Sequence, residues 1–118
     1  HGMEGLDEIS LSGPTKVSVL KNGNVTTNYF VPADLGYETC STDDLKGGTP
    51  EQNARHLRDV LSGKPGPRRD IALVNAAAAL VVAELASDLA EGVQLAATVV
   101  DSGKAEAKLL DFLNFRAA

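Results

Sequence analysis

Residues 71–83, Ile-Ala-Leu-Val-Asn-Ala-Ala-Ala-Ala-Leu-Val-Val-Ala, carry no charge and would place apolar side chains on every face of a helix. The run of alanines at 76–79 favours helix over strand. The stretch is shorter than the roughly 20 apolar residues needed to cross a bilayer, so other parts of the chain must cover it. Residues 71–85 are therefore expected to form the buried centre of a helical part. Asn75 is the only polar side chain within the uncharged run and needs hydrogen-bond partners if it is buried. Capping a stray backbone group in the core is favoured for it over orienting a neighbouring loop.

Local signals divide the rest of the chain. Residues 62–67, Ser-Gly-Lys-Pro-Gly-Pro, suit neither helix nor central strand, so the central helix should begin near Pro67 or Arg68. Before that break, Thr49-Pro50-Glu51-Gln52 combines a capping threonine, a proline at the first helical position and a glutamine at the third. This predicts a helix over residues 50–61, amphipathic through Ala54, Leu57, Val60 and Leu61. It also gives Gly47-Gly48 a loop role, preferred to a phosphate cradle because no further glycines or P-loop lysine accompany the pair. After the centre, Ser87-Asp88 starts a helix to about Asp101, with Leu89, Val93, Ala96, Ala97 and Val100 on one face, and Ser102-Gly103 ends it. A last helix is predicted over residues 104–115, with Ala107, Leu110, Leu113 and Asn114 at helical spacing.

The amino-terminal third reads differently. Residues 15–20 and 25–31 are rich in β-branched and aromatic side chains and flank Asn22-Gly23, which tolerates the positive φ of a tight turn. A β-hairpin is predicted. Pro32-Ala33-Asp34-Leu35-Gly36 should be a single helical turn closed by glycine, followed by an irregular segment to Lys46.

With 118 residues the chain is one domain or part of one. A net charge of −5 and scattered basic residues exclude a nucleic-acid backbone as a favoured partner. Arg68 and Arg69, beside Asp70, are read as a solvated helix start. Cys40 is the only cysteine, so no internal disulfide forms; a reducing cytoplasm fits, and no membrane partner is expected. The chain opens on His1 without a signal-peptide pattern, and upstream sequence is expected to have been removed.

Gly2, Gly5, Asp7 and Glu8 form the one constellation with catalytic potential. Adjacent carboxylates in a glycine-rich turn can both reach a hard cation, and Mg²⁺ needs only one or two of them when waters and substrate phosphates complete its shell. An Asp-Glu pair is also the ordinary composition of a charged surface or a helix start. Ser10, Ser12 and Cys40 have no recognisable base arrangement, so nucleophilic catalysis has no support. His56 is expected to face solvent among charges, and neither it nor His1 has a convincing partner for base or ligand chemistry.

The ordered series His1-Gly2-Met3-Glu4-Gly5-Leu6-Asp7-Glu8-Ile9-Ser10, Gly13-Pro14-Thr15, Pro32 to Gly36, Gly47-Gly48, Leu73-Val74-Asn75 with its alanines, Glu91-Gly92-Val93 and Asp101-Ser102-Gly103 resembles the anthranilate phosphoribosyltransferase family across essentially the whole chain. The resemblance implies an α/β fold, or α+β for the piece by itself: a hairpin at the edge of a mixed sheet followed by about four packed helices. That piece belongs to the catalytic domain shared with nucleoside phosphorylases. Residues 1–118 would be its carboxy-terminal portion, without the amino-terminal helical domain or the pyrophosphate loop. It further implies that Asp7 and Glu8 hold Mg²⁺ at the pyrophosphate of phosphoribosyl pyrophosphate. The parent would be a cytoplasmic homodimer that passes phosphoribosyl to anthranilate in tryptophan biosynthesis. The family's lysine-histidine-glycine-asparagine stretch and anthranilate-binding residues are absent from the sequence, so the polypeptide alone is expected to be inactive. A pyrimidine nucleoside phosphorylase and a non-catalytic scaffold homologue are the alternative readings.

Overall fold

The computed structural model describes residues 1–115. The chain divides into two units, His1–Leu45 and a second that begins at Lys46.

In the first unit, strands β1 (Thr15–Lys21) and β2 (Asn24–Phe30) pair antiparallel from Thr15↔Phe30 to Lys21↔Asn24. Asn22 and Gly23 form the predicted turn at φ 52° and 78°. Two successive residues at positive φ match the twist of the flanking strands, which is why Asn-Gly closes a two-residue hairpin. Ser18 Oγ and Thr27 Oγ1 meet across the strands at 2.8 Å. Most of the hairpin is exposed, and the unit's interior gathers at its base around Ile9, Ser10, Leu11, Thr15 and Pro32. Pro32–Leu35 is the predicted helical turn, of 3-10 type, closed by Gly36 at φ 78°. The segment expected to be irregular contains one element, α1 (Thr42–Leu45). Ser41 starts it: its N–H donates to the Asp44 carboxylate at 3.0 Å and its Oγ accepts from the Asp43 N–H at 3.2 Å. One turn is too short to show a helical period, so only this capping exchange marks it.

The second unit is helical: α2 (Pro50–Leu61), α3 (Pro67–Val82), α4 (Leu89–Asp101) and α5 (Lys104–Asn114). Each begins where a local signal predicts. Thr49 Oγ1 accepts from the Gln52 N–H at 3.3 Å while Gln52 Oε1 accepts from the Thr49 N–H at 2.8 Å. Asp88 Oδ1 caps α4 through the Glu91 N–H at 2.9 Å. Leu73 of α3 packs with Ala96 and Val100 of α4 to form the core, joined by Leu80, Ala97 and Ala105; Val74 and Ala77 are also buried. The order of hairpin then helices is the fold class expected from the sequence.

Several expectations about burial need correction. The central helix ends at Val82, and the chain turns at Glu84 with φ 58°. Val82 is 85% exposed and Leu85 65%, so the buried centre is confined to Leu73, Val74 and Ala77 instead of reaching residue 85. Within α2, Ala54 and Leu57 are exposed and only Val60 and Leu61 are half-buried on the predicted apolar stripe. Arg68 and Arg69 are not a solvated start. Arg68 Nη2 donates to the Lys46 carbonyl at 2.7 Å. Arg69 Nη2 donates to both Asp101 oxygens, at 2.8 and 3.1 Å, and so ties the start of α3 to the end of α4. Asn75 Nδ2 donates to the Ile71 carbonyl one turn back at 3.0 Å, a structural role.

Candidate metal centre

The glycine-rich turn is built on the start of β1. Lys16 N–H donates to the His1 carbonyl at 2.9 Å, Met3 N–H donates to the Pro14 carbonyl at 2.8 Å, and Gly2 bridges Thr15. The Gly2 N–H is shared between the carbonyls of Leu6, at 2.8 Å, and Glu8, at 3.0 Å. Those carbonyls flank Asp7, so a single donor closes the loop from both sides of that residue. Gly5 completes the turn at φ 111°, a conformation that disfavours any side chain.

Asp7 and Glu8 are both exposed. Among the described residues neither side chain has a hydrogen-bond or ion-pair partner. Residues 1–15 contain the carboxylates of Glu4, Asp7 and Glu8 and no lysine or arginine, so the turn is locally anionic. Glu4 differs from the other two because its carboxylate accepts from Ser10 Oγ, a fully buried hydroxyl.

Among the described residues no group of three or more His, Cys, Asp or Glu side chains converges on a cation position. The site is therefore not a closed protein cage. Two free carboxylates on an anionic turn nonetheless fit Mg²⁺, which keeps waters and takes phosphate oxygens to complete its octahedron. His1 Nδ1 lies 3.0 Å from the Gly2 carbonyl, which places the ring against the loop backbone.

The remaining sequence candidates lie elsewhere. Cys40 is half-buried with its Sγ 3.8 Å from Ser12 Oγ, and its N–H donates to the Leu11 carbonyl at 2.9 Å, a packing role. His56, expected to face solvent, is half-buried. It lines a groove of about 220 Å³ with Asp59, Lys64, Pro65 and Arg68. The Lys64 ammonium, 2.7 Å from Asp59, holds that carboxyl below its usual range. Glu4 and Ser10 are the residues that sequence reasoning missed. Serine in this sequence suggests at most a nucleophile, and the one local hint of the contact is a third acid, Glu4, two residues from Gly2.

Comparison with known proteins identifies the class. A profile described as the glycosyl transferase family, a/b domain, matches residues 1–106, and the chain belongs to that family. Anthranilate phosphoribosyltransferase of Rhodopseudomonas palustris strain HaA2 is 55% identical over the whole chain, and that of Symbiobacterium thermophilum is 52% identical over 105 residues. These alignments cover 35% and 31% of the relatives, so the chain spans about a third of their length. Among solved structures, anthranilate phosphoribosyltransferase from Thermus thermophilus superposes with a TM-score of 0.83 at 34% identity, covering 92% of this chain and 32% of the other. A Saccharomyces cerevisiae enzyme variant described with Mg bound gives 0.82 at 31% identity, covering 94% and 33%. The resemblance read from the sequence is borne out.

Proposed function

We propose that residues 1–118 are the carboxy-terminal portion of the α/β catalytic domain of an anthranilate phosphoribosyltransferase and supply one edge of its active site. The observation that carries this reading is the pair of unpartnered carboxylates, Asp7 and Glu8, on a backbone-locked turn in a chain 55% identical to such an enzyme.

The chemistry follows from the substrates. The anthranilate amine attacks ribose C1 of phosphoribosyl pyrophosphate, the bond from C1 to the pyrophosphate oxygen breaks, and the amine loses a proton. The products are N-(5-phosphoribosyl)anthranilate and pyrophosphate, an early intermediate of tryptophan biosynthesis and its by-product. Bound Mg²⁺ would supply charge neutralisation at the departing phosphates. Asp7 and Glu8 would hold that cation, and the bonds from Gly2 N–H fix the backbone that carries them. Catalysis depends on positioning both reactants as well as on charge. The anthranilate and pyrophosphate-loop contacts have no counterpart in this sequence, so the 118-residue chain by itself should not catalyse transfer. The whole enzyme is assigned to the cytoplasm as a homodimer.

The test is a chimera in which residues 1–118 replace the matching third of the Rhodopseudomonas palustris relative. Pyrophosphate release that requires anthranilate, phosphoribosyl pyrophosphate and Mg²⁺ together, with none from the 118-residue chain alone, is the expected result. A folded but inactive chimera, or release from the short chain, contradicts the proposal.

A further inference from the structure

Glu4 is exposed as a residue, yet its carboxylate is turned onto a buried hydroxyl. Ser10 Oγ donates to Glu4 and accepts from the Ser12 N–H at 2.9 Å, while the Ser10 N–H donates to Thr15 Oγ1 at 2.9 Å. Ser10 and Thr15 are both fully buried. A continuous chain of bonds thus runs from the middle of the glycine-rich turn, through its exit, to the first residue of β1. Gly2 is shaped to this arrangement: a Cβ there would sit 2.6 Å from Glu4 Oε2 and 2.9 Å from Ser10 Cβ. Gly2 is also the residue whose N–H holds the carbonyls on either side of Asp7.

We propose that Glu4 is a positioning residue: through Ser10 it clamps residues 5–9 and so sets the backbone from which Asp7 and Glu8 reach a divalent cation. This rests on the reading of Asp7 and Glu8 as the cation-holding pair. Glu4 differs from that pair in that one of its carboxylate oxygens, Oε1, is engaged by Ser10. The structure gives the glutamate its role as a hydrogen-bond acceptor, a role that charge alone does not require, and this separates two otherwise similar substitutions. Glutamine at position 4 keeps an acceptor oxygen for Ser10, whereas leucine does not, and both remove the same charge.

The experiment is a Mn²⁺ titration of the isotope-labelled 118-residue chain, read as paramagnetic broadening of the amides of residues 6–9 in the parent, Glu4→Gln, Glu4→Leu and Ser10→Ala. Residues that orient metal ligands typically change affinity by about tenfold or more when removed. Glu4→Leu and Ser10→Ala should therefore weaken Mn²⁺ binding by at least that order, with Glu4→Gln close to the parent. Equal weakening by glutamine and leucine would assign the effect to charge and overturn the proposal, as would no change in any variant. If the unsubstituted chain binds no Mn²⁺ even with inorganic pyrophosphate added to complete the cation's shell, the reading of Asp7 and Glu8 has failed, and the clamp is judged separately by amide exchange of Gly2 and Ser12 without metal. Faster exchange in Glu4→Leu and Ser10→Ala but not in Glu4→Gln supports the clamp, and unchanged exchange in all variants refutes it.

Discussion

Gly92 lies so close to α3 that a Cβ on it would come within 2.9 Å of the Cα, Cβ and carbonyl oxygen of Ala77. Backbone atoms cannot yield as a flexible side chain can. The replacement Gly92→Ala therefore sets two effects against each other: alanine gains up to about 1 kcal/mol of helix propensity, and overpacking a tight contact costs about 1–3 kcal/mol. The steric cost should win, with a net loss of about 1 kcal/mol and a lower urea midpoint. A raised midpoint would show that the helices separate freely and that the close approach is not a constraint. This contact also shows what a sequence hides at the residue scale. Gly92 reads as a weak point of helix α4, and nothing local marks Ala77 as its partner. Arg69 is similar: its neighbours Arg68 and Asp70 suggest solvent, but Asp101, its partner, is brought to it only by the packing of α4 on α3.

Elements were far more legible than contacts, because the groups that start a helix or close a hairpin lie within four residues of one another. Asn22-Gly23, Thr49 with Gln52, and Asp88 before Leu89 all act locally and stand where the sequence predicts. The extent of burial was not legible in the same way: the apolar run of α3 continues to Val82, but its neighbours cover only the middle. Helix α4 offers a test of its start. Glu91 Oε2 accepts from the Ser87 hydroxyl at 2.6 Å and the Ser87 N–H at 2.7 Å, and these bonds, the hydroxyl's first, hold its carboxyl below the usual range. Because the folded value is the lower one, the stabilisation is present above the ordinary glutamate value of about 4.3. It is lost as pH falls through the lowered folded value. A carboxyl-carbon titration by NMR should give Glu91 a midpoint below the ordinary value, and Ser87→Ala should raise it. A midpoint at the ordinary value that ignores Ser87→Ala would contradict the capping arrangement.

At the scale of the whole molecule, the candidate site is a turn folded onto the base of a hairpin, and the helical unit forms a core of its own. The residues alone mark Gly2, Gly5, Asp7 and Glu8 as a turn able to reach a cation, but an acidic pair has no distinctive spacing of its own, and the metal role of Asp7 and Glu8 comes from the ordered resemblance. Both side chains are exposed and, among the described residues, without partners, while the neighbouring Glu4 is engaged. None of the described helices is both long and apolar enough to cross a membrane. The central claim is that these two carboxylates hold the cation that stabilises the departing pyrophosphate. Its most direct test is the Mg²⁺ dependence of pyrophosphate release by the chimera carrying Asp7→Asn and Glu8→Gln, which preserve size and remove charge. Loss of stabilisation for developing charge costs roughly a hundredfold in turnover, and the Mg²⁺ concentration needed for half-maximal rate should rise as well. Turnover and Mg²⁺ requirement equal to those of the unsubstituted chimera would contradict the account.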